Sequence, residues 1–373
     1  MAKKNKAGLR LLQIGFLALL LLPWPLWGLL HGALDTTNHE NRTLAAFPSV
    51  AETGLNAWPA AFEDWLGDHA PFRNQLMTLN TGVNRLTGTL DSGDVLRGQN
   101  GWLFLKDASD SQSISDYQGL TACTGKELTD TAASLTALQA ALEARGSTLA
   151  VLFAPAKEEV YSRYMPADIP VVSRPTRVEG LVAALRAQTE VPVVFPQEAL
   201  TDASRTQQVY YKYDTHWNAV GAWLAAQQTL AALGLPCGTA LPAVQADAGR
   251  QATHDLADIS ASWAFCGDDA YYQPGAPAAN LDQSPNGELQ HYTGSGSQSL
   301  LLVRDSFGDA LAPWLCEPFG EALVIHGNEL NLKNLNAEQK TLPDVVVLEV
   351  AERFYYNLPG RAATVLDWVE SLS

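Results

Sequence analysis

Basic charge is scarce in this 373-residue chain: 24 Lys and Arg stand against 40 Asp and Glu, a formal net charge of -16. Neutralising phosphates needs a basic face, and none is visible, which argues against nucleic-acid binding. A polyanionic substrate fits only a site that is locally positive. Charge of either sign is sparse, at 17% against 47% apolar residues. That balance rules out wholesale disorder and supplies a substantial core. Cysteine is also thin. Cys123, Cys237, Cys266 and Cys316 form no C-x-x-C pair and match no zinc spacing. Their expected roles are bridges or buried thiols; an even number in a non-cytoplasmic chain permits disulfides in any of about three pairings. The sequence shows no internal repeat, and its length suits one large domain or two ordinary ones.

What the chain does have begins at its N-terminus. Lys3, Lys4, Lys6 and Arg10 precede an apolar run from Leu11 to Leu30, roughly the ~20 residues that span a bilayer. The positive flank stays in the cytoplasm, which puts everything after His31 outside it. Gly28 to His31 and Ala33 make a poor small-x-small cleavage site, so an uncleaved anchor is favoured over a signal peptide. Pro23 and Pro25 are expected to kink it. The expected division is a cytoplasmic basic segment over 1–10, a transmembrane signal anchor over 11–30, a connector over 31–57 and a folded domain over 58–373.

Within 58–85, Phe62, Trp65, Leu66, Phe72, Leu76 and Leu79 recur near helical spacing. A break falls at Asp68 to Arg73, since Pro71 disfavours helix in the residue before it, and His69 there reads as a surface or capping residue. Gly101 to Leu105 reads as a buried strand or hairpin arm. From residue 126 the alternation is regular. Helix 126–145 ends at Gly146, strand 148–153 follows, then helix 177–189 and strand 191–195. Helix 218–233 ends at Gly234. Strand 299–303 leads through Ser306 into a helix toward Leu315, followed by strands 322–325 and 344–350 and helix 362–371. Such alternation predicts an α/β fold with a mostly parallel sheet covered on both faces. Residues 235–298, rich in Gly, Ala, Asp, Ser and Gln, interrupt it as an insertion or long loop.

Two stretches carry chemistry. Asp214 stands two residues before His216, so in an extended or turn conformation both side chains project to one side. A carboxylate that orients a histidine as base is most of a nucleophilic-catalysis apparatus. Ser306 lies three residues past Val303, at the carboxyl end of a strand, where parallel α/β sheets bind ligands. A serine there exposes its hydroxyl, and its own N–H at a helix start can stabilise an oxyanion. Bland alternatives stand beside these. Ser306 or Asp305 can simply cap the helix, and Asp214 and His216 can be an ordinary pair beside a helix opening at Asn218. Metal binding lacks a third ligand at a useful spacing. Trp102, Tyr161, Tyr210, Tyr211, Tyr213 and Trp217 either line a sugar groove or sit in the core. Lys157 and Arg353 either give local positive charge or form ion pairs.

Tyr213-Asp214-Thr215-His216-Trp217-Asn218, with Gly221 after it, resembles the D-x-H-W motif of the AlgJ and AlgX type of polysaccharide O-acetyltransferases, which are periplasmic SGNH-hydrolase-like proteins. Val303 to Phe307 resembles their nucleophile segment. Asn41-Arg42-x-Leu44-Ala45-x-Phe47-Pro48, Phe72-Arg73, Gly101-Trp102-Leu103-Phe104, Pro155-x-Lys157-x-x-Val160-Tyr161 and Glu352-Arg353 are similar to family landmarks in the same order. The resemblance covers most of the chain after the anchor. It implies an SGNH-hydrolase-like (flavodoxin-like) catalytic domain over 58–373, held by an N-terminal membrane anchor helix.

The same resemblance implies a triad of Ser306 as nucleophile, His216 as base and Asp214 as orienting carboxylate. Trp217, Tyr213, Lys157, Tyr161, Arg353 and Arg304 are the implied substrate contacts. The reaction would be ping-pong acetyl transfer to a sugar hydroxyl. No bound cofactor is implied. The acetyl group would come from a donor or partner protein, a membrane O-acyltransferase of the MBOAT class, to a periplasmic site anchored in the inner membrane. Arg304 stands where related nucleophile blocks often carry Gly, and only Asn328 offers itself as a side-chain oxyanion donor. The motifs do not name the polysaccharide, and the acidic balance fits alginate, a polyanion, poorly. Two rival functions remain: an extracytoplasmic acetylesterase of the same fold, and a non-catalytic glycan-binding subunit of an exopolysaccharide export complex.

Overall fold

The computed structural model describes residues 2–39, 43–87, 93–107, 112–237, 241, 245–246, 254–267, 269, 272–273 and 278–372. The landmark residues Asn41 and Arg42 lie outside the described residues, as does much of the insertion between 238 and 277. The chain divides into two compact units, 1–92 with 257–266, and 93–256 with 267–373. Residues 58–92 therefore group with the N-terminal segment, and the unit that holds the sheet begins at Gly93.

In the smaller unit, Gly8–Ala33 is helical and unburied, with a mean hydropathy of 1.7, long and apolar enough to cross a membrane. The helix is interrupted at Leu22, where Pro23 starts a second segment, because proline cannot supply the N–H that the preceding turn needs. Helices Val50–Asp68 and Arg73–Thr87 follow, separated at the break that Pro71 predicts. His69 closes the first of them: its backbone N–H and its ring Nδ1 both donate to the Trp65 carbonyl, at 2.9 and 3.0 Å. Trp27 meets Phe72 edge-on at 5.2 Å, and the Asn74 and Gln75 side-chain amides each bond a carbonyl of the connector, Thr37 and Asp35, at 2.9 Å.

The larger unit opens with an antiparallel hairpin of β1 (Val95–Arg97) and β2 (Leu103–Leu105). Its sheet contains β3 (Thr148–Ala154), β4 (Val193–Val194), β5 (Ala279–Gln283), β6 (Leu289–Thr293), β7 (Ser299–Arg304), β8 (Glu321–His326) and β9 (Val345–Ala351). Their spatial order is β4-β3-β9-β7-β8-β6-β5. The first five are parallel. β6 and β5 add on antiparallel at the β8 edge. That hairpin is the rear part of the stretch 235–298, read from sequence as an insertion or long loop, and it is strand. The apolar signal was missing because β5 is exposed along its whole length, and β6 buries only Gln290 and Tyr292. An edge hairpin needs little apolar content.

The inner strands read as continuous apolar runs because helices cover both faces. On one face Ala150, Leu152, Leu300, Leu302, Val324 and Val347 pack with residues of helices Ala219–Ala232 and Gly308–Leu315. On the other, Val151, Leu301, Val303, Leu323, Val346 and Leu348 pack with helices Gly125–Glu143, Arg177–Gln188 and Leu358–Ser371. Alternation along each strand sorts the residues between the two layers. None of the four cysteines forms a disulfide. Cys316 is a buried thiol whose pKa burial pushes up.

Candidate active site

β7 delivers Ser306. The strand ends at Arg304, and the chain turns through Asp305, Ser306 and Phe307 into helix Gly308–Leu315. Asp305 braces the turn: its Oδ1 accepts the Phe307 N–H at 3.0 Å and its Oδ2 accepts the Ala351 N–H at 2.6 Å. The Asp305 N–H donates in turn to Glu349 Oε2 at 2.8 Å. Burial, with the charge of Asp305, pushes the Glu349 carboxyl well above the usual range. With Asp305 holding the turn, the Ser306 hydroxyl is left for other work, and its Oγ lies 2.8 Å from His216 Nε2. Gly308 is required here, since a Cβ would sit 2.4 Å from Cβ of Arg304.

The histidine loop is built differently. Tyr210 and Trp217 form an antiparallel bridge, flanked by Asn218 N–H to Val209 O at 3.0 Å and Tyr211 N–H to His216 O at 3.1 Å. Asn218 caps the next helix, accepting the N–H groups of Val220 and Gly221 at 3.0 and 3.1 Å. Gly221 allows the loop to lie on that helix: its Cβ would meet the Val209 carbonyl oxygen at 2.3 Å. The buried ammonium of Lys157, just beyond β3, donates to the carbonyls of Tyr211, Lys212 and Asp214 at 3.2, 3.2 and 2.6 Å. Burial depresses it to about 8, against the opposing pull of Glu158 and Asp255.

Asp214 and His216 meet as the spacing predicts. Asp214 Oδ1 accepts the ring Nδ1–H at 2.7 Å and the His216 backbone N–H at 2.9 Å. Burial opposes the Asp214 charge, but the His216 hydrogen bond and charge lower its carboxyl overall. Burial likewise opposes the imidazolium, yet the bond and charge of Asp214, with the charge of Asp255, raise His216 above the ordinary imidazole value.

The aromatic and cationic candidates separate. Trp217 is fully buried and its Nε1 donates to the Phe307 carbonyl at 2.9 Å, tying the histidine loop to the serine turn. Tyr161 is buried and accepts the Val209 N–H at 2.9 Å; Tyr213 is buried and accepts the Gly267 N–H at 3.0 Å. Arg304 is buried and pairs with Asp309 at 2.7 Å. These side chains, with Lys157, brace the loops. Arg353 stays half-buried, its guanidinium 5.6 Å from the centre of the Phe307 ring, which itself lies 4.8 Å from the His216 ring. The Asn328 amide donates to Glu288 at 3.1 Å. The Ser306 N–H bonds none of the described residues.

Asp255 was missed by sequence reasoning. Its Oδ1 accepts the Thr215 N–H at 2.8 Å, its Oδ2 accepts the Thr215 hydroxyl at 2.5 Å, and its own N–H donates to Asp214 Oδ2 at 3.1 Å. No motif marks it, since 41 residues separate it from Asp214. One donor atom from each of Asp214, His216 and Asp255 lies within 4.8 Å of the others, a grouping able to hold a metal ion. Each of these carboxylate oxygens already accepts an N–H or O–H donor, however, so the cluster is complete as a hydrogen-bond network.

Residues 95–272 match the family model described as SGNH hydrolase-like domain, acetyltransferase AlgX. The probable alginate O-acetylase AlgJ of Pseudomonas syringae pv. tomato is 25% identical over 197 residues, covering 52% of this chain and 47% of its own. The chain thus spans about half the length of that curated relative. Among solved structures, the O-acetyltransferase domain of Pseudomonas putida AlgJ matches with TM-score 0.46 and 19% identity, over 75% of this chain and 98% of that one. Pseudomonas aeruginosa AlgX matches with TM-score 0.44 and 15% identity, over 72% and 67%. Over about half its length the chain is thus similar to AlgJ and AlgX, and that part lies in the mixed α/β, SGNH-like domain.

Proposed function

We propose that this AlgJ/AlgX-like chain is an O-acetyltransferase that acetylates hydroxyls of a secreted polysaccharide through an acetyl group carried on Ser306. The observation that carries the reading is the continuous line of bonds from Asp214 Oδ1 to His216 Nδ1 at 2.7 Å and from His216 Nε2 to Ser306 Oγ at 2.8 Å. With Nδ1–H given to Asp214, the lone pair of Nε2 faces the serine hydroxyl, the tautomer a general base needs.

In the first half-reaction Ser306 Oγ attacks the carbonyl carbon of the acetyl donor while its proton passes to His216 Nε2. The donor's leaving group takes that proton and departs, and Asp214 stabilises the transient imidazolium. In the second, a sugar hydroxyl gives its proton to the same nitrogen, its oxygen takes the acetyl group, and Ser306 leaves and is reprotonated. The unengaged Ser306 N–H is a donor for the oxyanion of each tetrahedral intermediate. Arg353, half-buried beside Phe307, is the residue of the implied contact set best placed to meet substrate. Tyr213, Trp217, Tyr161, Lys157 and Arg304 act through the loops they hold.

The apolar helix over Gly8–Ala33 supports a site held at the periplasmic side of the inner membrane. There acetyl groups arrive from a membrane partner of the MBOAT class, and the chain needs no cofactor of its own. Ser306→Ala tests the reading. Polysaccharide acetylation should fall by at least about 10³-fold with the fold unchanged. The wild-type chain given an activated acetyl ester should acquire one acetyl group at Ser306, detected by peptide mass spectrometry. Adding glycan should discharge that acetyl onto sugar. Rapid discharge to water that glycan does not alter identifies an esterase instead, and full acetylation by the alanine variant removes the catalytic role.

A further inference from the structure

The triad leaves one charged group beside its base unexplained. Asp255 Oδ2 lies 3.6 Å from His216 Nδ1, on the same side of the ring as Asp214. A carboxylate half-buried next to another is unfavourable, and its position here raises its pKa through burial first and the Asp214 charge second. Such a placement needs a compensating gain, and the hydrogen bonds indicate it. The Thr215 hydroxyl donates to Asp255 Oδ2 at 2.5 Å while standing 3.3 Å from His216 Nδ1. Because that hydroxyl's hydrogen is given to Asp255, the side facing the ring is oxygen lone pair. The imidazole Nδ1–H therefore sees three acceptors, of which Asp214 Oδ1 is nearest. The Asp255 N–H meanwhile closes the second oxygen of Asp214 at 3.1 Å, which fixes the carboxylate that orients the ring.

We propose that Asp255 is a positioning residue of the acyl-transfer site: it locks Asp214 and Thr215 around the Nδ1 edge of His216 and adds a second negative charge that favours the imidazolium formed when Ser306 loses its proton. The inference rests on the reading of Ser306 and His216 as nucleophile and base. The charged groups facing His216 are Asp214 and Asp255, which favour the imidazolium, Arg353, which opposes it, and Asp309 beyond the serine turn. Asparagine at 255 keeps the shape and removes one of the two favouring charges. The imidazolium is then less stable, so the ring titrates at lower pH and proton transfer from Ser306 becomes harder.

The test titrates His216 by NMR in the full-length, detergent-solubilised chain with ring-labelled histidine, its resonance identified by loss in His216→Gln. In Asp255→Asn the midpoint should move to lower pH, and the acid limb of the kcat/KM profile should move with it. At neutral pH kcat should fall about tenfold with KM nearly unchanged. Thr215→Val, which removes the bridging hydroxyl, should shift the midpoint in the same direction by less, and Thr215→Ser should restore it. A midpoint in Asp255→Asn equal to wild type overturns the proposal; should that variant fail to fold, an unshifted Thr215→Val does so. The titration needs no turnover. Failure of the acetyl-serine reading, seen as activity surviving in Ser306→Ala, is therefore distinct from failure of this inference.

Discussion

The two halves of the site are held by different sets of groups. The serine turn presents backbone N–H groups and is held by carboxylates, Asp305 on Phe307 and Ala351, and Glu349 on Asp305. The histidine loop also turns carbonyls to the interior, and there a cation, Lys157, holds residues 211, 212 and 214, beside the carboxylate of Asp255 on the Thr215 N–H. The first sits at the end of a central strand, so the sheet ladder places it to within the width of a turn. The second belongs to no strand of the sheet and depends on side chains reaching in from elsewhere. Its geometry should therefore be the more easily lost. The lesson is that an active site can borrow precision from backbone pairing on one side and must build it from side chains on the other.

Variants that disturb only one half sharpen this contrast. Lys157→Met should have the largest effect, since it leaves three inward-facing carbonyls without their donor. Loss of about 3 kcal/mol of stability, read by chemical denaturation, is expected. Surviving folded protein should lose about 100-fold in kcat, because a shift of the histidine by about 1 Å is enough for that. A stable, active Lys157→Met would show that the loop does not need its cation. Trp217→Phe comes next. It deletes the single bond from the histidine loop to Phe307 O and should reduce stability by about 1–2 kcal/mol, with activity following in proportion to the loosened contact.

The smallest effect requires no substitution. His216 must be neutral to accept the serine proton, and its pKa is raised, so kcat/KM should fall on the acid side about a midpoint above the ordinary imidazole value. The stability linkage has its own sign. The raised His216 contributes stability below its unfolded pKa that is lost as pH rises through the folded one. The lowered Asp214 contributes stability above its unfolded pKa that is lost as pH falls through the folded one. A thermal-melt series across pH should thus show the pair's contribution fullest between those two limits.

Much of this was legible in the chain. The runs Leu300 to Val303 and Val345 to Val350 announce buried parallel strands, and Ser306 stands just past one of them because strand ends are where turns must come. Asp214 and His216 are near neighbours in sequence, so their contact is local. The hairpin over 279–293 is hidden within the expected insertion or long loop because a polar edge strand carries no apolar alternation. Helical periodicity over 58–85 marks an apolar helix face but carries no information on which compact unit the helix joins. Residue type and resemblance mark Lys157, Tyr161, Tyr213, Trp217 and Arg304 as candidate substrate contacts; in the structure they are buried and bonded to neighbouring loops. Residue type gives the reach and charge of such side chains, while burial decides whether they face ligand or backbone.

By itself the sequence determined the alternating α/β plan, the apolar N-terminal helix and the pairing of Asp214 with His216. These follow from periodicity, length and local spacing, which a linear chain displays directly. Only the tertiary structure decided that Ser306 Oγ meets His216 Nε2, that Asp305 rather than Ser306 braces the turn, and that Asp255 lies beside the base. Each of those depends on which strands are neighbours and which loops emerge at the same sheet edge. Such contacts close only when long stretches of chain fold together, and no local pattern records them.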